Sequence, residues 1–329
     1  AEELARRYGT QHETFTVEAD SMAGLLPDIA WSCDEPLADS GLLPNHVICR
    51  LAAEAGVKVV LSGAGGDELF AGYTYFFPQP KEDILLCHSR LAAAASAVLG
   101  RLAPELSRKI DRALAYQSDP WRHYLGHTTV WPRRQREALM GGAFPPGEED
   151  AIRLDYLRRS RLDGLNTRLY ADLKTYLPDD ILLLSDRMTM IHSIEGRVPY
   201  LHRPLVELAL GIPAEVKAPG MRRKGLLRDI AAPLLPRSFL EQPKRGFSSP
   251  MDRWLRGPLG ATAAAQLASE RSLSRPWWDR RELLRFVRSP DARGSLQHRF
   301  FTLWMLELFC RVHLDGASAH PGGALLDDL

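Results

Sequence analysis

The run from Val57 to Tyr73, VKVVLSGAGGDELFAGY, constrains the fold more than any other part of this 329-residue chain. Val57, Val59, Val60 and Leu61 make a short apolar run that predicts a buried strand, and Ser62-Gly63-Ala64-Gly65-Gly66 follows as a glycine-rich turn. Asp67 and Glu68 stand where the next element begins. Open α/β sheets bind ligands at turns on the carboxyl ends of parallel strands, because strand order leaves a crevice there and glycines let backbone N–H groups approach phosphate. A carboxylate beside such a turn suits Mg²⁺. The same residues also describe an ordinary strand-to-helix turn, in which Asp67 caps the helix and the glycines relieve the backbone. Both readings stand on spacing alone.

The chain before this run predicts α/β winding. Ala1, Leu4, Ala5 and Tyr8 share a helical face that ends at Gly9, and His12 to Val17 alternates as a strand does. Met22 to Cys33 reads as a helix stopped by Asp34-Glu35-Pro36, and Pro44 opens another that carries Val47, Ile48, Leu51, Ala52 and Ala55 up to Gly56. A strand, helices and a strand between His12 and Leu61 predict a right-handed crossover and a parallel sheet. The chain opens inside a helix without a methionine, so further polypeptide is expected upstream.

Past Tyr75 the strand signals fade. Lys81 to Arg112 is Ala/Leu-rich, Trp121 to Met140 is aromatic and basic, and Gly141 to Asp150 reads as a loop, so residues 76–163 are expected to be a helical insertion on an incomplete α/β core of residues 1–75. Trp121, Tyr124 and Trp131 fit packing better than ligand stacking. Residues 164–314 are expected to be mainly helical, and 315–329 a disordered tail. Within Ile181 to Ile194, Asp186, Arg187 and His192 interrupt an apolar helix, and Glu195, Arg197, Pro199 and Tyr200 follow where it ends. Those charges either form structural ion pairs or face a polar cleft. Lys244 and Arg245 sit in a loop between Pro243 and Pro250, placed either to close over a polyphosphate or to meet solvent.

A formal charge of +1 gives no argument for a nucleic-acid or acidic-membrane partner. No apolar stretch approaches bilayer length, so a soluble cytoplasmic protein is expected. Cys33, Cys49, Cys87 and Cys310 form no C-x-x-C pair and read as free thiols. The oligomeric state is open, with a homodimer one expectation.

Three segments together resemble the synthetase domain of glutamine-dependent asparagine synthetases. They are LSGAGGDELFAGY at Leu61–Tyr73, LPDDILLLSDRMTMIHSIEGRVPYL at Leu177–Leu201, and LLRDIAAPLLP with PKRGFSSPMDRWLRG between Leu226 and Gly257. The resemblance implies a Rossmann-like, parallel-sheet ATP pyrophosphatase core with a large helical part. It implies that ATP adenylates a carboxylate, nominally aspartate, and that ammonia from an upstream glutaminase domain then gives the amide. Carried over by position, Ser62, Gly63, Gly65 and Gly66 match the nucleotide-binding turn, Asp67 the Mg²⁺ ligand and Lys244 the loop lysine that opposes charge on the phosphates. Glu195 matches a catalytic position and Arg197 a substrate-binding one. Two features depart from the family. Ala64 stands where it usually has glutamate, which leaves room for another carboxylate, such as a cell-surface sugar acid or a peptide. Its Ser-Gly-Gly-x-Asp-Ser phosphate loop and cysteine nucleophile are absent from these residues and expected upstream, so the chain alone is expected to be inactive. The contrasting expectation is a non-catalytic homologue that serves as a binding module.

Overall fold

Proline and glycine set many of the helix ends. A computed structural model of the chain describes residues 2–16, 23–77, 121–141, 143, 151–242, 249–294 and 296–316. Helix α1 (Glu2–Tyr8) has acids in its first turn and arginines in its last, and Gly9 leaves it at φ +64°. Helix α2 (Leu26–Ser32) carries Pro27 in its first turn, and α3 (Leu42–Glu54) runs out at Gly56, φ +80°. Strand β1 (Val59–Leu61) and the short helix α4 (Gly66–Leu69) follow. Then come α5 (Arg122–Thr128), α6 (Arg133–Leu139), α7 (Ala151–Arg159) and α8 (Gly164–Lys174), the last capped by Asp163, whose side chain accepts from Asn166 N. A π-turn over Leu177–Leu182 leads into α9 (Leu183–Met190) and strand β2 (Glu195–Arg197). The rest is helical: α10 (Arg203–Gly211), α11 (Ala214–Lys217), α12 (Gly225–Ala231), α13 (Arg237–Leu240), α14 (Met251–Leu255), α15 (Pro258–Leu267), α16 (Glu270–Leu273), α17 (Arg280–Arg288) and α18 (Gln297–Phe309).

The sheet is parallel, as expected, but its membership differs. Val59, Val60 and Leu61 face Glu195, Gly196 and Arg197, and the ladder is bracketed by Glu195 N to Lys58 O at 2.9 Å and Ser62 N to Arg197 O at 2.8 Å. Glu195–Arg197, expected only to follow the end of a helix, is thus the partner of β1. Residues 12–16, read as a strand with Val17, are irregular, and Val17 lies outside the described residues. A strand needs a neighbour to satisfy its backbone groups, and alternation alone supplies none. Expected burial of β1 fails for the same reason, since Leu61 is 74% exposed on a two-stranded sheet. The described residues are a mostly helical α/β chain with a small parallel sheet, and a Rossmann core is not among them.

The main core joins α2, α3, α9, α14, α15, α17 and α18 around the fully buried Trp304, whose Nε1 donates to Gln266 Oε1 at 2.7 Å. A second cluster packs Phe76, Tyr124, Leu157 and Leu169, and Trp131 meets Phe286 at 5.0 Å between ring centroids, so Tyr124 and Trp131 are packing residues. Asp315, the first residue of the expected tail, is held by Arg271 and Arg275, both at 2.6 Å. Residues 317–329, Cys87 and the whole of the expected helix at 81–112 lie outside the described residues. Cys33, Cys49 and Cys310 are buried free thiols. No described helix is long and apolar enough to cross a membrane.

Candidate functional site

The turn after β1 sorts its glycines into two kinds. Gly65 has φ +87°, and a Cβ there would lie 2.5 Å from Leu201 Cδ2. Gly66 faces the Tyr200 ring, 3.3 Å from where its Cβ would be. These two let the Pro199–Leu201 turn after β2 close down on the start of α4, a packing reason rather than a ligand. Gly63 is exposed, and beyond its chain neighbours no described atom lies within 4 Å of where a Cβ would stand. Gly63 and the half-buried Ser62, whose Oγ accepts from Ala64 N at 3.2 Å, therefore form the open lip of the turn.

Asp67 is the second residue of α4 and follows this lip in the chain. Its Oδ1 lies 3.1 Å from Lys224 Nζ, and both side chains are half-buried. Lys224 precedes α12 at φ +50°, a conformation that costs a non-glycine residue strain. It is held there by N–H bonds to Phe70 O and Ala71 O. Ala71, buried, is itself at φ +55°. Gly72 is required, because a Cβ would fall on the Asp67 carboxylate and 2.7 Å from Lys224 Cε. A carboxylate and an ammonium are thus packed together at the carboxyl end of a strand. Among the described residues no three His, Cys, Asp or Glu side chains gather to cage a metal. Mg²⁺ in nucleotide sites takes one or two carboxylates, with phosphate and water completing the shell, so Asp67 as sole protein carboxylate fits that ion.

Behind the turn lies a buried network of hydroxyls and carboxylates. Tyr73 donates to the buried Glu68 at 2.7 Å, and Tyr73 stacks on Tyr75 with ring centroids 5.1 Å apart. Tyr75 donates to Asp172 Oδ2 at 2.8 Å, and Tyr124 donates to Asp172 Oδ1. Burial pushes the Asp172 carboxyl up to about 6, against the pull of the two hydroxyls. In the π-turn, burial and then the nearby Asp39 push Asp180 up to about 7. Both carboxylates also help to raise the Tyr176 phenol, after burial.

The sequence-predicted residues divide. Ser62, Gly63, Gly65, Gly66 and Asp67 form one continuous turn, and β2 lies beside it. Glu195 and Arg197 are exposed and bond to each other, Arg197 Nε to Glu195 Oε1 at 2.8 Å, the arrangement of a structural ion pair on one face of a strand. Lys244 lies outside the described residues. Sequence reasoning missed Lys224 and gave Glu68 no role. Lys224 reads as one more basic residue in MRRKG, and only its backbone angle and its approach to Asp67 single it out.

The chain is 30% identical over 267 residues to asparagine synthetase [glutamine-hydrolyzing] 1 of Bacillus subtilis (strain 168), covering 79% of this chain and 41% of that protein. It is 25% identical over 246 residues to asparagine synthetase [glutamine-hydrolyzing] 3 of the same organism, covering 74% of this chain and 34% of the relative. It is also 22% identical over 286 residues to amidase chry2 of Gibberella zeae, covering 78% and 42%. The chain thus spans about two fifths or less of the length of these curated relatives. The family model described as asparagine synthase matches residues 1–311, and the chain belongs to the asparagine synthase family.

Proposed function

We propose that this chain carries the nucleotide end of an ATP-dependent amide-forming ligase, which adenylates a carboxylate and passes the acyl group to ammonia. The observation that carries the reading is the Asp67–Lys224 pair at 3.1 Å, with Asp67 following the open lip at Ser62 and Gly63 in the chain. Nucleotidyl transfer needs cations and metal against the leaving pyrophosphate and little covalent help from the protein. Mg²⁺, when bound, neutralises charge on the phosphates. Asp67 would hold it, Lys224 would turn from Asp67 to the phosphates, and the Ser62 and Gly63 backbone would line their approach. Gly65 and Gly66 would shape that turn from below. Lys244 would add a second ammonium, and Arg197 with Glu195 would face the carboxylate substrate. A Rossmann-like core is completed by polypeptide beyond the described residues, and ammonia comes from a glutaminase domain of the same protein. The carboxylate is nominally aspartate. Ala64 and the similarity to amidase chry2 favour a second reading, in which another carboxylate is amidated.

The test is ATP–pyrophosphate exchange by the full-length protein across a panel of carboxylates. Exchange with one of them is expected, lowered roughly a hundredfold to a thousandfold in Lys224→Ala and in Asp67→Asn, with melting temperature held. Near-wild-type exchange in both variants would remove the pair from the chemistry, and no exchange with any carboxylate would leave a binding module.

A further inference from the structure

Strand β2 enters the sheet through a turn that carries the half-buried His192 against the buried His46, two histidines that the proposed chemistry does not use. His46 on α3 is 4% exposed, and its ring meets the ring of His192 edge-on, with centroids 4.6 Å apart. His46 Nδ1 and His192 Nε2 are both buried, and neither has a hydrogen-bond partner among the described residues. His192 sits in the turn that ends α9, closed by His192 N to Thr189 O, Ser193 N to Met190 O and Ile194 N to Thr189 O. Ser193 there has φ +55°, unfavourable for a residue with a side chain. Two residues later Glu195 begins β2, whose pairing with β1 positions the glycine-rich turn.

We propose that the His46–His192 pair is a proton-sensitive latch that fastens β2 to the helical body and releases it when the imidazoles take up protons. The neutral rings pack edge to face across the α3–α9 seam. Protonation sets two cations 4.6 Å apart and gives each buried, unpartnered nitrogen an N–H with no acceptor. The facing charges do not offset this. On α3, Arg50 adds a third cation and is paired with Glu54 at 3.9 Å, and Cys49 is an uncharged buried thiol. On the α9 side, Arg187 pairs with Asp34 at 2.6 Å and lies 3.9 Å from Asp186. Burial and the facing imidazole accordingly hold His46 down at about 4, and burial followed by Arg50 lowers His192. A lowered imidazole makes the folded form lose stability as pH falls from about 6.5 toward 4. The strained Ser193 turn gives the released segment an easier conformation to adopt. Asp172 and Asp180, raised by burial, act with the opposite sign over an overlapping range, so the latch is read by difference.

The experiment is amide hydrogen exchange on this chain between pH 7 and pH 5, corrected for intrinsic rates, in the wild type and in His46→Leu/His192→Leu. Protection at Ser62 and Glu195 is expected to fall at least tenfold toward pH 5 in the wild type and to stay level in the variant. An equal fall in both proteins, or none in the wild type, overturns the latch. If the double variant does not fold, NMR titration of the wild-type rings decides. A midpoint below 5.5 that coincides with loss of protection supports the latch, and ordinary titration near 6.5 with unchanged protection sinks it.

Discussion

A methyl group at position 72 separates the structural and chemical roles of the turn. Gly72 has an ordinary backbone, and its need for glycine comes from the Asp67 carboxylate and Lys224 stem packed against it. Gly72→Ala is expected to push Asp67 off Lys224, at a cost of about 1–3 kcal/mol by urea unfolding, with exchange activity falling by more than that loss of stability explains. An alanine variant as active as the wild type would show that the pair tolerates displacement. The prediction depends on Lys224, which no local pattern in MRRKG distinguishes. Asp67 was legible because it follows a glycine run after an apolar one. Lys224, 157 positions further on, meets it only because Phe70 and Ala71 carbonyls hold the backbone ahead of α12.

At the scale of elements, the π-turn at Leu177–Leu182 brings Asp180 into partly buried surroundings beside Asp39. Its carboxyl, raised from 3.8 to about 7, takes up a proton more readily in the folded state than in the unfolded one. Stability from this group is therefore greatest below about pH 4 and declines as pH rises toward 7. The stability difference between wild type and Asp180→Asn, followed by urea unfolding from pH 4.5 to 7.5, should shift against the wild type with rising pH. Its slope should stay under the roughly 1.4 kcal/mol per pH unit of one fully shifted proton. A flat difference would mean that Asp180 is solvated like a surface carboxyl. A proline followed by two acids is locally a helix start, but the wider turn and the facing Asp39 are tertiary facts. The two strands show the same limit. β1 is legible from its apolar run, whereas Glu-Gly-Arg in β2 has no strand signature, and only its pairing with Val59–Leu61 makes it one.

At the scale of the molecule, the main core is closed by an ionic knot on α18. Glu307, 1% exposed, accepts from Arg311 at 2.7 Å and pairs with Arg275 at 3.3 Å, and Arg275 continues to Asp315 at 2.6 Å. Glu307→Gln leaves the buried Arg311 guanidinium without its carboxylate and removes one of the two that hold Arg275, and is expected to destabilise the chain by about 3–5 kcal/mol in chemical denaturation. A loss under about 1 kcal/mol would mean that water or Asp315 replaces the carboxylate. Composition and periodicity by themselves determined the mainly helical character of residues 164–314, the packing role of Tyr124 and Trp131, and the glycine-rich turn bearing Asp67. These follow from near-neighbour physics: burial at helical spacing, backbone freedom at glycine, and proline and glycine at helix ends. Only the tertiary structure decided which strand pairs with β1, which glycines serve packing, and which lysine reaches Asp67. Those depend on contacts between residues far apart in sequence, whose selection lies in ladder partners, steric closeness and buried charge rather than in any local pattern.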